Sequence, residues 1–433
     1  MKWIPGEKPP NKGSSLTLKM LFARTGERTF GQARNGSLGA ALKKEKTRGF
    51  TLFPTSSEDE FFQTKRVWSK KIKDRVLASY LVPYLSKVAT LHQKIILVDA
   101  FAGPGHFEDG SKGSPLILCD AADQYVPDQY LGIFVNRKGD HHRKLEKALK
   151  ARIDDGRAIC IHGNARKLLQ ELGPLLQTQT VFVYLDPFGL AGCEFDTLKI
   201  FLMRSKAYST EILINVSPKA IHRLAAQDAI QSGRITDQVK ALNDRLTRVL
   251  GGDYWVAMLS DESRMPAERV ANVVKEYQKR LAQYLPYVGS CPVQESAGTA
   301  IKYYMVFCSR HPDALLLMND QMCAAYNQYM HEGWTEGTLF QHTDWRTHRD
   351  MTKLEEVIME RIAKRSFGRK ELNVHIVMDH FMRWTTVEYR DAVKRLHGQG
   401  RLDFDDVRGT KRLNDDSLLH LPKPVAARVQ HSA

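Results

Sequence analysis

The sequence predicts a doubly wound α/β fold of the Rossmann type, and three observations carry that reading. Short apolar runs alternate with helical stretches between Lys94 and Val216. A glycine turn, Gly103-Pro104-Gly105, follows the first of these runs. Two more apolar runs arrive late, after a long polar helical stretch. Taken in order, the first five runs are Ile95–Asp99, Tyr130–Val135, Ala158–His162, Val181–Leu185 and Glu211–Val216. Each is short and nearly continuous in apolar residues, as a parallel strand buried on both faces requires. A helix opens at Ser114-Pro115, with serine as N-cap and proline in the first turn. Further helices are expected over Arg137–Lys150, Lys167–Leu176 and Glu194–Met203. This alternation implies right-handed crossovers onto one sheet. The late runs, Val288–Val293 and Tyr303–Cys308, read as an antiparallel pair, closed by a helix over Asp313–Tyr329.

The 433 residues, 42% of them hydrophobic, suit one large domain with attachments. Residues 1–57 read as a basic flexible arm, because residues 1–50 hold eleven Lys or Arg against three Glu. Such an arm serves phosphate neutralisation, solubility or partner docking. Residues 58–345 form the Rossmann-type domain, with a helical insertion over 217–286. Its entering helix, over 58–90, starts at a cap on Ser57 or Asp59. Lys65, Arg66, Lys70, Lys71, Lys73 and Arg75 surround the apolar stripe of that helix, as a solvated face or as a basic rim beside an anionic substrate. Residues 346–433 are a winged-helix-like domain and tail, with a helix over Leu354–Ala363 and a second, Val387–His397, capped by Thr386. Two short strands, Arg401–Phe404 and Ser417–Leu421, flank a turn at Arg408-Gly409-Thr410. No apolar run reaches membrane-spanning length and no secretory signal stands at the start, so a cytoplasmic protein without a membrane partner is expected. The six cysteines fall at no metal-site or redox spacing and read as buried thiols, and no metal is expected.

Four strand ends carry the chemistry. After the first strand come Asp99, Phe101, Ala102, Gly103, Pro104 and Gly105, a turn whose glycines permit a sharp bend and close approach to a ligand. Asn136 follows the second strand, where an acidic residue would hold ribose hydroxyls more strongly. Asn164 follows the third strand, as an adenine contact or a helix N-cap. After the fourth come Asp186, Pro187 and Phe188, where a carboxylate and an aromatic ring leave the sheet at its ligand-binding edge. Phe188 stands one place earlier than the ring of the Asp-Pro-Pro-Tyr type motif of amino-methylating enzymes, and the second proline is absent. The four elements in this order, with the late hairpin, fit a methyltransferase-like sheet. S-adenosylmethionine is then the expected cofactor, and Asp186, Pro187 and Phe188 the catalytic set. Methyl transfer needs chiefly alignment, so no further catalytic side chain is required.

The chain resembles the three-Cys-motif partner (TcmP) family. The likeness rests on Phe61-Phe62, Trp68-Ser69-Lys70-Lys71-Ile72-Lys73, Val98 to Gly105, Asp109-Gly110 with Gly113-Ser114-Pro115-Leu116, and Leu185-Asp186-Pro187-Phe188-Gly189. It continues through Ile214-Asn215-Val216-Ser217, Ile221-His222-Arg223 and Tyr303 to Ser309, and covers roughly residues 58–410. The resemblance implies a methyltransferase-like fold with a C-terminal helical or winged module, and a three-cysteine-motif protein as partner. Two functions compete on this reading. One is a methyltransferase acting on nucleic acid, within a multi-protein system. The other is a non-catalytic nucleic-acid-binding or scaffolding subunit on a degenerate methyltransferase fold, favoured by the neutral Asn136. Hydrolase chemistry lacks a nucleophile–base pair in the sequence.

Overall fold

The computed structural model describes residues 66–422, apart from 228, 230, 231, 233, 235, 340–342, 407, 408, 410 and 411. The arm expected over 1–57, the caps at Ser57 and Asp59, and most of the turn at 408–410 lie outside the described residues. A seven-stranded sheet organises the larger unit. Its strands are β1 (Ile95–Asp99), β2 (Tyr130–Asn136), β3 (Ala158–His162), β4 (Thr180–Leu185), β5 (Thr210–Val216), β6 (Tyr287–Gln294) and β7 (Ile301–Ser309). They lie in the order β3-β2-β1-β4-β5-β7-β6. The first five are parallel, whereas β7 runs antiparallel to both β5 and β6. The result is a mostly parallel, Rossmann-like sheet closed by a late antiparallel hairpin.

Period two decides which face each strand residue serves. Ile96 and Val98 of β1 enter one buried core, Ile95 and Leu97 the other. The first core packs under α5 (Ala165–Leu172), α6 (Phe195–Leu202), α7 (Pro218–Ala225), α8 (Asp237–Leu250), α9 (Trp255–Leu259) and α10 (Pro266–Ala282). The second lies under α1 (Arg75–Ala89), α2 (Ser114–Tyr125) and α11 (Pro312–Thr335). Helices α7 to α10 occupy the stretch between β5 and β6.

Several local expectations change. The entering helix contains a π-helical stretch, Ser69–Asp74, after Val67 and Trp68 and before α1 begins. Lys73 does not belong to a solvated face: within this stretch it is buried together with Ser69 and Ile72. Ser114 is not an N-cap: Gly113 holds that position with no side-chain cap, and the serine hydroxyl is used elsewhere. The helix expected over Arg137–Lys150 is two, α3 (Gly139–Ala148) and α4 (Lys150–Asp154), broken at Leu149.

The C-terminal unit comprises α12 (Met351–Ile362), β8 (Phe367–Gly368), α13 (Arg369–Asp379), α14 (Thr386–Gly398), β9 (Asp403–Asp405) and β10 (Leu418–His420). Its antiparallel sheet has the order β8-β10-β9. Thr385, not Thr386, caps α14, in a capping box with Glu388. The unit has its own core around Leu354, Ile358, Leu372 and Leu396. It docks on α11, where Leu315 and Leu316 meet Val374 and Val377. Buried Asn319 of α11 donates to the Trp384 carbonyl at 2.8 Å and accepts from the Met382 amide at 2.7 Å. Among the described residues, no helix is long and apolar enough to cross a membrane.

Candidate functional site

The strand order places one crevice. β1 lies between β2 and β4, so the chain leaves β1 in one direction and returns beyond it at β4. At that switch point the loops after β1 and β4 diverge at the carboxyl edge of the sheet, where open α/β sheets bind ligands. Here the loops are Ala100–Gly113 and Asp186–Gly192.

Asp99 ends β1 and is fully buried. Its Oδ1 accepts from the Phe101 amide at 3.0 Å, and its Oδ2 accepts from the Ser114 hydroxyl at 2.6 Å. Burial pushes this carboxyl up to about 7, against the lowering effect of those two hydrogen bonds. Asp99 thus ties both ends of the glycine loop from behind. The loop closes on itself through the Gly113 amide, which donates to the Gly105 carbonyl at 2.7 Å. Gly105 has φ +92°, and a Cβ there would meet the Ala148 Cβ at 2.9 Å. Both the backbone angle and the close approach of α3 exclude a side chain at this position.

Opposite this loop, Asp186 follows β4. The Lys73 ammonium donates to Asp186 Oδ2 at 2.6 Å, with side-chain exposures of 4% for the lysine and 27% for the aspartate. The ammonium also lies 4.8 Å from the ring centroid of Tyr303. Burial works against the charged lysine, but Asp186 and Tyr303 outweigh it and the lysine pKa is raised. Phe188 is half exposed at the rim. Gly189 has φ +92° and lies under Arg223, whose guanidinium nitrogen would be 2.9 Å from an added Cβ.

These groups share one narrow cleft of about 50 Å³, lined on its two sides by Phe101, Gly103 to Gly105 and Ser114, and by Lys73, Tyr184, Asp186 to Phe188 and Tyr303. Among the residues expected at the site, Phe101, Gly103, Pro104, Gly105, Asp186, Pro187 and Phe188 are brought together in this way. Asp99 stands one hydrogen bond behind, through Ser114. Ala102, Asn136 and Asn164 do not line the cleft. The Asn136 side chain is buried and spent on the backbone, donating to the Ala102 carbonyl at 2.5 Å and accepting from the Lys138 amide at 2.9 Å. Asn164 caps α5, accepting from the Lys167 amide at 3.3 Å.

Sequence reasoning missed Ser114, Tyr184 and Tyr303 as parts of the cleft, and offered Lys73 only among a run of six basic residues, as a solvated face or a basic rim. For Lys73 a signal existed: Ser69, Lys73, Val76, Tyr80 and Tyr84 fall at spacings of three and four, which puts the lysine on the buried face. Its charge hid that placement. The cysteines are free, five of them buried and Cys160 partly so. Among the described residues, no group of three His, Cys, Asp or Glu side chains is placed to hold a metal.

No family model matches the chain, and no curated protein matches it. Among solved structures it is similar to an O-methyltransferase from Bacillus cereus in complex with SAH. That match has 12% identity, covers 59% of this chain and 92% of that chain, and has a TM-score of 0.29. It is similar also to spermidine synthase from Thermotoga maritima, with 9% identity, 58% and 62% covered, and a TM-score of 0.29.

Proposed function

We propose that the cleft binds S-adenosylmethionine and presents an acceptor on nucleic acid to Asp186, Pro187 and Phe188. The observation that carries this reading is the meeting, at the switch point, of the glycine loop after β1 with the Asp186 loop after β4. The donor set fits the cofactor. The Gly103–Gly105 backbone and the Ser114 hydroxyl offer polar contacts beside the Phe101 ring, and a loop that excludes side chains leaves room for close approach. Bound there, the cofactor supplies an electrophilic methyl group. Phe101 and the glycine loop hold and orient the ligand, and Asp99 keeps that loop in shape through Phe101 and Ser114. Asp186 accepts a hydrogen bond from the acceptor, and Phe188 packs on a planar ring.

Asn136 and Asn164 act at one remove on this reading. Asn136 fixes Ala102, and Asn164 fixes the start of α5. A formal charge of +15 supports a nucleic-acid acceptor, with the arm at 1–57 as a further phosphate contact. The order helix, strand, two helices and two strands supports a winged helix for the C-terminal unit. The motifs shared with the three-Cys-motif partner family support a three-cysteine-motif protein as partner.

One observation favours a second reading, a non-catalytic nucleic-acid-binding subunit. The end of β2 offers no carboxylate for ribose, and the Asn136 side chain is already engaged. Calorimetric titration of the intact protein with S-adenosylmethionine and S-adenosylhomocysteine separates the two. The methyltransferase reading expects binding of both, and labelled methyl transfer to total RNA or DNA. Folded protein that binds nucleic acid but gives no heat with millimolar cofactor favours the second reading.

A further inference from the structure

Lys73 is a buried cation in the wall of the cleft, not in the core of the sheet. Its ammonium contacts Asp186 Oδ2 at 2.6 Å and the Tyr303 ring at 4.8 Å from the centroid. It is carried there by the π-helical stretch Ser69–Asp74, whose Ser69 and Asp74 line the same cleft. π-Helical turns are rare and concentrate at functional sites. A buried ion pair is weak grounds for stability, since two well-packed apolar side chains in place of the pair serve folding as well or better. The position of Lys73 in the cleft wall, and not its part in folding, is what sets this pair apart. Among the described residues, it is the one hydrogen-bond partner of the Asp186 carboxylate, and it takes Oδ2 alone. Oδ1 remains for a ligand, beside the half-exposed Phe188.

We propose that Lys73 is a positioning residue of the acceptor site: it fixes Asp186 through Oδ2, so that Oδ1 receives an N–H or O–H from an uncharged planar acceptor. This rests on the methyl-transfer reading for its substrate. The class of acceptor follows from charge and donor count. A carboxylate or phosphate at the reacting position would face the free oxygen of Asp186 and be repelled. A neutral ring carrying an amine, amide or hydroxyl would donate to it and lie on Phe188.

The test uses the full chain with Lys73→Met and Lys73→Arg. Methionine fills the lysine's place without a charge and leaves the partly exposed Asp186 carboxylate to solvent, and arginine keeps a donor for Asp186 should the methionine variant fail to fold. Labelled methyl transfer from S-adenosylmethionine to total RNA and DNA is measured beside S-adenosylhomocysteine affinity by calorimetry, and the variants are crystallised. Expected for Lys73→Met are an S-adenosylhomocysteine affinity within about twofold of the parent and a kcat/KM for transfer lower by about tenfold or more, the loss of one oriented charge-assisted hydrogen bond. Lys73→Arg recovers part of that loss, which a purely structural role for the lysine would not produce. Transfer unchanged in Lys73→Met, or a loss of transfer that only follows a loss of cofactor affinity, overturns the proposal. If the parent protein binds no S-adenosylhomocysteine, the methyl-transfer reading fails on its own, and the variant crystal structures decide the role of Lys73. An Asp186 side chain that leaves its place in Lys73→Met supports positioning, and one that stays overturns it.

Discussion

Glu211 shows how far a single side chain can depart from its usual chemistry. It lies in β5, fully desolvated, and accepts from the Tyr80 hydroxyl. Burial raises its pKa from the usual 4.5 to about 8, against the lowering effects of Tyr80, Lys87 and Ser309. In that interval the folded protein holds a proton that the unfolded chain has released. Its contribution to stability is therefore full below about pH 4.5 and is lost as pH rises through about 8. Asp99 acts in the same direction over the interval from 3.8 to about 7. Glu211→Gln should flatten the fall in stability between pH 5 and pH 9, measured by urea denaturation across that range. A slope identical to the parent's would locate the linked proton elsewhere. None of this is legible in the sequence, where Glu211 is one polar residue at the start of an apolar strand.

At the scale of elements, the strands were the most legible part of the chain. Parallel strands buried on both faces leave a local signature, and the five runs expected from it lie within one or two residues of β1 to β5. Loops carry less information, because their shape depends on what approaches them. The Gly103–Gly105 turn was legible as a turn, but the reason for Gly105 is α3, which passes too close for any Cβ. Gly105→Ala should cost about 1–3 kcal/mol from the strained φ and the clash with Ala148. It should also weaken S-adenosylhomocysteine binding, since the loop must shift. Chemical denaturation together with calorimetry measures both, and an alanine variant with parental values would show that α3 yields easily. The π-helical stretch escaped the sequence reading because an α-helical period was assumed throughout.

Across the whole molecule, the two units are joined by polar contacts that no local pattern announces. Asn319 reaches the backbone of residues 382 and 384, and Asp320 accepts from the Thr386 amide at 2.8 Å. Asn319→Ala leaves a buried carbonyl and a partly buried amide without partners, at a cost of about 2 kcal/mol. The C-terminal unit, which has a core of its own, should then loosen before the sheet does. Scanning calorimetry should show an earlier transition split from the main one, whereas a single shifted transition would mean that the apolar contacts alone couple the units.

The sequence by itself determined the α/β alternation, the late hairpin, the glycine turn after β1 and the Asp186 turn after β4, because each is written in local periodicity or in backbone requirements. The tertiary structure decided which of those turns face each other, since that depends on the crossover that makes β1 and β4 neighbours. It alone decided that Lys73 and Asp186, 113 residues apart, form a desolvated pair, and that Asn136 serves the backbone. The physical reason is that burial, ion pairing and hydrogen-bond occupancy belong to a side chain's surroundings, and in these three residues the surroundings come from distant parts of the chain.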